Sequence, residues 1–191
     1  TAPFSLTKRY SEVGASSERN EYDIFQVTGG LKGKLPSLGW SWDAYASYGE
    51  ARQDQQIFGF ASQQALTSLL QAADGGASLC AGGYNPFGIT SISDACRDYL
   101  LRYPENHSIT RQTVVEASVQ GGLAALPAGE LSFALGAAYR RNSFRFDADP
   151  MVSSGDLINL PISNSTSGST SVKEIYGELL IPIIHDTPLI R

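Results

Sequence analysis

The chain has 191 residues, 17% of them charged, and a formal net charge of −5 at pH 7. Soluble globular domains average about 25% charged residues, and the 19 glycines and 9 tyrosines favour β structure. Acidic and basic residues are scattered, which excludes a basic surface for nucleic acid. No run approaches the roughly 18 consecutive apolar residues of a transmembrane helix.

Segments in which apolar and polar residues alternate predict six β-strands along the chain. The clearest alternation lies in the fifth segment, where small residues separate Leu131, Phe133 and Leu135. Each strand therefore has one apolar face and one face of small or polar residues. In chain order the segments are Phe4–Ser11, Tyr22–Leu35, Trp40–Ala51, Ile109–Ala125, Leu126–Pro150 and Val172–Ile184.

The connections between these strands alternate between short turns and long loops. Short turns are predicted at 35–38, 126–129 and 185–188, where proline or glycine stands at turn positions. Long loops are expected at about 52–108 and about 148–171. Long strands with short turns on one side and long loops on the other are typical of an outer-membrane β-barrel.

The sequence therefore predicts an all-β fold, an antiparallel meander of about six long strands that forms a partial β-barrel domain over residues 1–191. In this interpretation lipid contacts the apolar face and water fills the lumen on the other face. The chain starts at Thr1 and stops at Arg191 without a recognisable leader, so we expect a piece of a longer protein.

The first long loop is predicted to be folded. Ser62–Ala73 and Ile92–Tyr103 have apolar residues at helical spacing, and Ser93 or Asp94 is the expected N-cap of the second helix. Cys80 and Cys96 predict one disulfide and an oxidising compartment. Two free thiols are the alternative, and no neighbouring histidine or second cysteine pair indicates a metal site.

Aromatic and charged residues on the strands suggest two further features. Four aromatic residues in phase with the apolar face predict an interfacial girdle, and the alternative for each is a half-buried core aromatic. These are Trp40, Trp42, Tyr48 and Tyr139. Four charged residues are predicted to face the lumen, where they line a pathway, contact a plug or are simply solvated. These are Glu116, Arg140, Glu174 and Glu178.

Catalytic patterns are not found in the sequence. The two histidines, His107 and His185, are expected on opposite rims, which argues against a catalytic triad or a histidine metal site. No G-x-S-x-G motif occurs. Residues 29–35 depart from the phosphate-loop pattern in spacing and in having Leu35 at the magnesium position. We therefore predict neither an enzyme nor a bound cofactor.

Several motifs occur in one order along nearly the whole chain: GGLKGKLPSLGWSWDAYASYG, LCAGGYNPFG, ISDACRDYL, GGLAALPAGELSFALGAAYRRNSFRF and VKEIYGELLIPII. In this order and spacing the chain resembles TonB-dependent outer-membrane receptors, the plug-and-barrel transporters of sphingomonad- and caulobacter-like bacteria. The resemblance implies a location in the outer membrane of a Gram-negative bacterium and a 22-stranded barrel closed around a plug. It also implies TonB-driven uptake of siderophore-iron, haem, cobalamin or an oligosaccharide.

The chain departs from such receptors because it shows neither a plug domain nor a TonB-contacting box. Six strands are fewer than the eight of the smallest bacterial barrels, and an open sheet would leave unpaired edges in lipid. We therefore expect an internal barrel segment. Its partners would be the plug and remaining strands of the same receptor, the TonB complex through the plug, membrane lipid and an extracellular ligand.

Ligand contacts in such receptors cluster on loops, so Tyr84, Asn85 and Phe87 in the cysteine loop are the predicted ligand contacts. Two other classes of protein remain open. One is a stand-alone soluble β-rich binding module with a disulfide-closed loop. The other is an outer-membrane enzyme such as a barrel lipase, which the positions of His107 and His185 disfavour.

Overall fold

The computed structural model describes residues 11–87 and 91–184. A short 3₁₀ helix, Ser11–Val13, precedes the first strand. The strands are β1 (Ser17–Leu35), β2 (Trp40–Phe58), β3 (Phe60–Ala61), β4 (Leu101–Arg102), β5 (Glu105–Leu126), β6 (Gly129–Asp147) and β7 (Thr166–Leu180). The helices are α1 (Gln63–Gln71), α2 (Asp94–Leu100) and α3 (Pro150–Ser154).

The five long strands form one mostly antiparallel sheet in the order β1-β2-β5-β6-β7. This order confirms the all-β class and the meander. Within the described residues the sheet has five long strands, and it is not closed into a barrel. The weak first segment, Phe4–Ser11, lies outside these residues except for Ser11, which begins the 3₁₀ helix.

Both described short turns connect neighbouring strands as predicted. After β1, the amide groups of Leu38 and Gly39 donate to the carbonyl oxygen of Leu35 at 3.0 and 2.9 Å. Gly39 has a φ of 70°, which glycine adopts without steric cost. Two residues, Pro127 and Ala128, connect β5 to β6. The predicted third turn at 185–188 lies outside the described residues.

Four strands, β1, β2, β5 and β7, extend beyond their predicted segments at one end or both. The first long loop is correspondingly shorter. It spans 59–104 instead of about 52–108, because β2 continues through polar residues after Ala51 and β5 begins at Glu105. The second long loop spans 148–165 because β7 begins at Thr166. Periodicity in apolar residues cannot locate such strand ends, since their side chains are polar on both faces.

Polar side chains pair across the extended ends of the strands. Gln53 donates to Asn20 at 2.9 Å, and Gln55 donates to Glu18 at 3.0 Å. The buried Asn106 donates to the side-chain oxygen of Gln55 at 3.0 Å. Cross-strand pairs of this kind stabilise a sheet.

The described residues divide into two compact units. Unit 1 comprises residues 11–22, 53–87, 91–108 and 146–166, and unit 2 comprises 23–52, 109–145 and 167–184. Both long loops belong to unit 1, and both short turns belong to unit 2.

Unit 1 has a compact apolar core that contains the disulfide. The buried members of this core are Val13, Ala61, Ala65, Leu66, Leu69, Cys80, Tyr84, Cys96 and Leu100. Ser62 caps α1 by accepting a hydrogen bond from the amide of Ala65 at 3.0 Å. Ser93, not Asp94, caps α2 by accepting from the amide of Cys96 at 3.2 Å. Both predicted helices are therefore present, each shorter than its predicted segment.

The two long loops pack together within unit 1. Ile158 donates from its amide to the carbonyl oxygen of Ala61 at 3.0 Å, and Ser62 forms an isolated antiparallel bridge with Leu157. The short helix α3, which apolar periodicity did not indicate, is capped by Asp149, whose side chain accepts from the amide of Met151 at 2.7 Å.

Candidate functional site

Unit 2 presents an apolar face. The rings of Phe25 and Tyr48 lie 5.9 Å apart, and those of Trp40 and Phe133 lie 4.8 Å apart, so these residues share one side of the sheet. Strand alternation places the other residues of the same parity beside them. The large exposed side chains of this apolar face are Phe25, Val27, Leu31, Val115, Leu123, Leu135, Ile175 and Leu179.

Nothing in the described part of the chain covers this apolar face. Every buried apolar side chain among the described residues belongs to unit 1. Ile175 in β7, for example, has 83% of its surface exposed. A water-exposed apolar surface of this extent indicates an apolar partner or a membrane.

The predicted girdle aromatics lie on the apolar face, and glycines make room for two of them, Trp40 and Trp42. Trp40 donates from its indole nitrogen to the carbonyl oxygen of Gly122 at 2.9 Å, and a side chain at Gly121 would collide with its ring. A side chain at Gly33 would likewise collide with Trp42. Tyr139 lies half-buried on β6. Their contact with a membrane interface stays a prediction.

A charged cluster lies beyond the aromatic residues on the same face. The buried carboxylate of Glu50 accepts hydrogen bonds from Arg111 at 2.6 Å, Arg52 at 2.7 Å and the Tyr48 hydroxyl at 3.0 Å. Sequence reasoning missed this cluster. The signal in the sequence was that Glu50 is in phase with Tyr48 and that Arg111 is in phase with Val115, which places a charge of each sign on the apolar face.

The opposite face of unit 2 carries a row of hydrogen-bonded side chains. Tyr45 and Tyr176 donate from their hydroxyls to the two carboxylate oxygens of Glu116, at 2.8 and 3.0 Å. Two glycines make this arrangement possible, since a side chain at Gly136 would collide with Tyr176 and a Cβ at Gly30 would lie 3.0 Å from that of Tyr45. We call these three hydrogen-bonded residues the tyrosine–glutamate row and this surface the polar face.

The other predicted lumen charges lie on the same polar face by strand alternation. Arg140 has the parity of Gly136, and Glu174 and Glu178 have the parity of Tyr176. All three side chains are exposed. Sequence reasoning identified Glu116 but not its two tyrosine partners, which are 71 and 60 residues away along the chain.

No protein family, curated protein or solved structure matches the chain. Among the described residues, no helix is long and apolar enough to cross a membrane.

The cysteine loop contains the predicted disulfide between Cys80 and Cys96. The three predicted ligand contacts in the same loop differ in burial and in hydrogen bonding. Tyr84 is a buried member of the core of unit 1, and Asn85 accepts a hydrogen bond from the amide of Phe87 at 2.9 Å. Phe87 is 57% exposed. Ligand contact at this loop stays a prediction, and Tyr84 also stabilises the core.

Metal-binding clusters are not found in the described part of the chain. No group of three or more His, Cys, Asp or Glu side chains there is arranged to hold a metal ion. His107 and Asp54 form a hydrogen-bonded pair in unit 1, in which His107 Nδ1 and Asp54 Oδ1 lie 2.6 Å apart.

The hydrogen bond to Asp54 raises the pKa of His107 above its ordinary value. A raised folded-state pKa means that this pair stabilises unit 1 fully below the ordinary histidine pKa and loses its effect as pH rises through the raised value. We expect Asp54→Asn to lower the pKa of His107 in an NMR titration of the imidazole protons. Asp98→Asn, which changes an exposed acid on α2, is the control and should leave the pKa of His107 unchanged.

Proposed function

We propose that this chain is a segment of an outer-membrane β-barrel receptor of the TonB-dependent kind, which takes up a scarce ligand by energised transport. The observation that supports this proposal most directly is the sheet of unit 2. One face is apolar and uncovered, and the opposite face is polar and hydrogen-bonded. In an outer-membrane barrel these two faces contact lipid and a wet lumen.

Lipid is the apolar partner that fits the apolar face best. The exposed apolar residues occur on strands at both ends of the sheet order, from Leu31 in β1 to Ile175 in β7, so the partner must cover the whole sheet. A hydrogen-bonded group of charges, Glu50, Arg52 and Arg111, lies beside Tyr48 on this face. A continuous apolar band with charges beyond an aromatic residue is the pattern of a membrane-crossing sheet.

The open edges of the sheet determine what must complete it. The outer strands of the described sheet are β1 and β7, and in a five-stranded antiparallel meander they run in the same direction. They therefore cannot pair with each other in an antiparallel ladder. An all-antiparallel barrel requires an odd number of additional strands between β7 and β1, and at least three to reach the smallest bacterial barrels of about eight.

The polar face would contact the plug of the complete receptor. The tyrosine–glutamate row keeps Glu116 in place by two hydrogen bonds, while Arg140, Glu174 and Glu178 remain exposed on the same face. Exposed charges beside an ordered carboxylate can bind complementary charges of a plug. TonB would act through that plug, and no cofactor is required for this role.

Unit 1 would form the extracellular part of the segment. Its two long loops share one core, and the disulfide between Cys80 and Cys96 is compatible with an oxidising environment. Phe87 is exposed at the cysteine loop and is the predicted contact for an incoming ligand. The ligand class remains open among siderophore-iron, haem, cobalamin and oligosaccharide.

Two adjacent alanines in β6 test the membrane placement. Ala137 belongs to the apolar face and Ala138 to the polar face, so Ala137→Arg and Ala138→Arg add the same side chain on opposite sides. Arginine on the lipid side costs about 2–4 kcal/mol near the midplane, whereas lumenal substitutions are tolerated. We expect Ala137→Arg alone to reduce the heat-modifiable, membrane-inserted fraction of the receptor.

Equal behaviour of both variants would contradict the membrane placement. It would support the second candidate, a soluble β-rich binding module, which is favoured by the separate core and disulfide of unit 1. In that case both arginines would be solvated, and each would change the free energy of unfolding by only about 0.5 kcal/mol or less.

A further inference from the structure

The strongest unassigned feature is a polar groove in unit 1. Its volume is about 630 Å³. One wall is α1, and the other is the chain that follows α3. The lining residues are Gln63, Gln64, Thr67, Ser68, Gln71, Ser154, Gly155 and Asp156, and we call it the glutamine groove.

We propose that the glutamine groove binds a neutral oligosaccharide. This inference deepens the proposed function and rests on it for the ligand class, which it narrows to an oligosaccharide. The groove lies wholly in unit 1, so binding there can be measured separately from insertion of the sheet in a membrane. The groove residues also differ from the predicted ligand contacts in the cysteine loop, of which Asn85 and Phe87 are exposed.

The walls of the groove are joined by the backbone. Asp156 accepts a hydrogen bond at its carbonyl oxygen from the amide of Gln63 at 2.6 Å, and at Oδ1 from the amide of Gln64 at 2.8 Å. Gly155 has a φ of 75°, which ends α3 and turns the chain toward α1. The buried side of α1 is fixed by Leu66 and Leu69 in the core. The groove is therefore held in shape before any ligand binds.

The chemistry of the lining matches closely spaced hydroxyl groups. Each glutamine amide both donates and accepts hydrogen bonds, and Gln63, Gln64 and Gln71 are exposed. Thr67 and Ser68 donate from their hydroxyls to helix carbonyl oxygens at 2.8 and 3.0 Å. Their oxygen lone pairs therefore remain available as acceptors. A sugar hydroxyl also donates and accepts, so it can use both kinds of group.

Charge and polarity argue against other ligand classes at the same groove. Asp156 is the single charged lining residue, and no lysine, arginine or histidine lines the groove to bind an anion. One oxygen of the Asp156 carboxylate already binds the amide of Gln64, which leaves a poor cation site. No aromatic or methionine side chain lines the groove to hold a flat apolar ligand.

The test removes two glutamine amides from the groove and keeps the helix. In the full chain, purified in a detergent without a sugar head group, Gln64→Ala and Gln71→Ala are combined. Alanine has a high helix propensity. The hydrogen bond from Gln64 to Asp156 is donated by the backbone amide of Gln64, so alanine at this position keeps it. Binding of oligosaccharides of glucose, xylose, mannose and galactose is measured by calorimetry. We expect at least one to bind the parent and to bind this double variant about tenfold more weakly or worse.

Gln56→Ala is the matched control, because Gln56 is an exposed glutamine of unit 1 that does not line the groove. It should bind as the parent does. If the double variant fails to fold, Thr67→Val removes one groove hydroxyl at nearly constant shape and should also weaken binding. Binding by none of the four sugars, or equal binding by parent and groove variants, would overturn the inference. The membrane test on Ala137 and Ala138 is unaffected by either result.

Discussion

Replacing Leu69 by alanine is expected to lower the free energy of unfolding of unit 1 by about 2–5 kcal/mol. Leu69 is only 1% exposed and lies at the centre of the core that joins both long loops. Truncation would remove buried methyl groups and leave a cavity that the disulfide-linked loop cannot easily fill. Hydrogen exchange of the α1 amides in the full chain measures this loss locally.

The adjacent residue is a control of the same chemical type. Leu70 is 50% exposed, and alanine there keeps the helix propensity of α1 high. Leu70→Ala is expected to change the free energy of unfolding by about 0.5 kcal/mol or less. Similar losses for both variants would show that α1 does not bury the face that contains Leu69.

Removing the disulfide is expected to lower the free energy of unfolding of unit 1 by about 3 kcal/mol. The bond joins cysteines 16 residues apart in a loop whose open form would otherwise be highly disordered. Because both cysteines are buried, the suitable variant is Cys80→Ala with Cys96→Ala, which avoids burying a hydroxyl group. Protease resistance of the loop and hydrogen exchange of α2 measure the change.

Reduction of the parent chain gives an independent comparison. Dithiothreitol should destabilise unit 1 of the parent by a similar amount and should leave the alanine double variant unchanged. If the double variant is as stable as the oxidised parent, the core contacts of Tyr84 and Leu100 alone hold the loop. The disulfide would then have no measurable role in unit 1.

The Leu69 and disulfide variants both act on unit 1, and they help to separate the oligosaccharide proposal from the membrane proposal. The glutamine groove depends on α1, and α1 is held by Leu69 on its buried side. A variant that loosens this core should therefore weaken oligosaccharide binding without changing the membrane insertion of the sheet. The Ala137 and Ala138 variants should have the reverse effect.

The sequence alone determined the class of the fold and the faces of its strands. Alternation at Leu131, Phe133 and Leu135 predicts which side of β6 is apolar, because successive side chains of a strand point to opposite faces. The turn after Leu35, the N-cap of α2 and the cysteine pair were also predictable. Each of these depends on residues that are close in sequence or on the chemistry of one residue type.

Only the tertiary structure decided which distant side chains meet. The sequence placed Glu116 on the polar face but could not identify Tyr45 and Tyr176 as its partners, since strand register determines that contact. The same is true of Glu50 and Arg111, which lie on the apolar face. Glu50 and Arg111 are 61 residues apart along the chain, so no local sequence pattern predicts their contact.

The ends of the strands and the glutamine groove were also decided by tertiary contacts. β2 continues beyond Ala51 because polar side chains such as Gln55 find partners on neighbouring strands. The groove exists because Asp156, on the second long loop, binds the first turn of α1 on the first loop. Hydrogen bonds between residues 92 apart in the chain depend on the packing of both loops, so they follow from the folded core and not from local sequence.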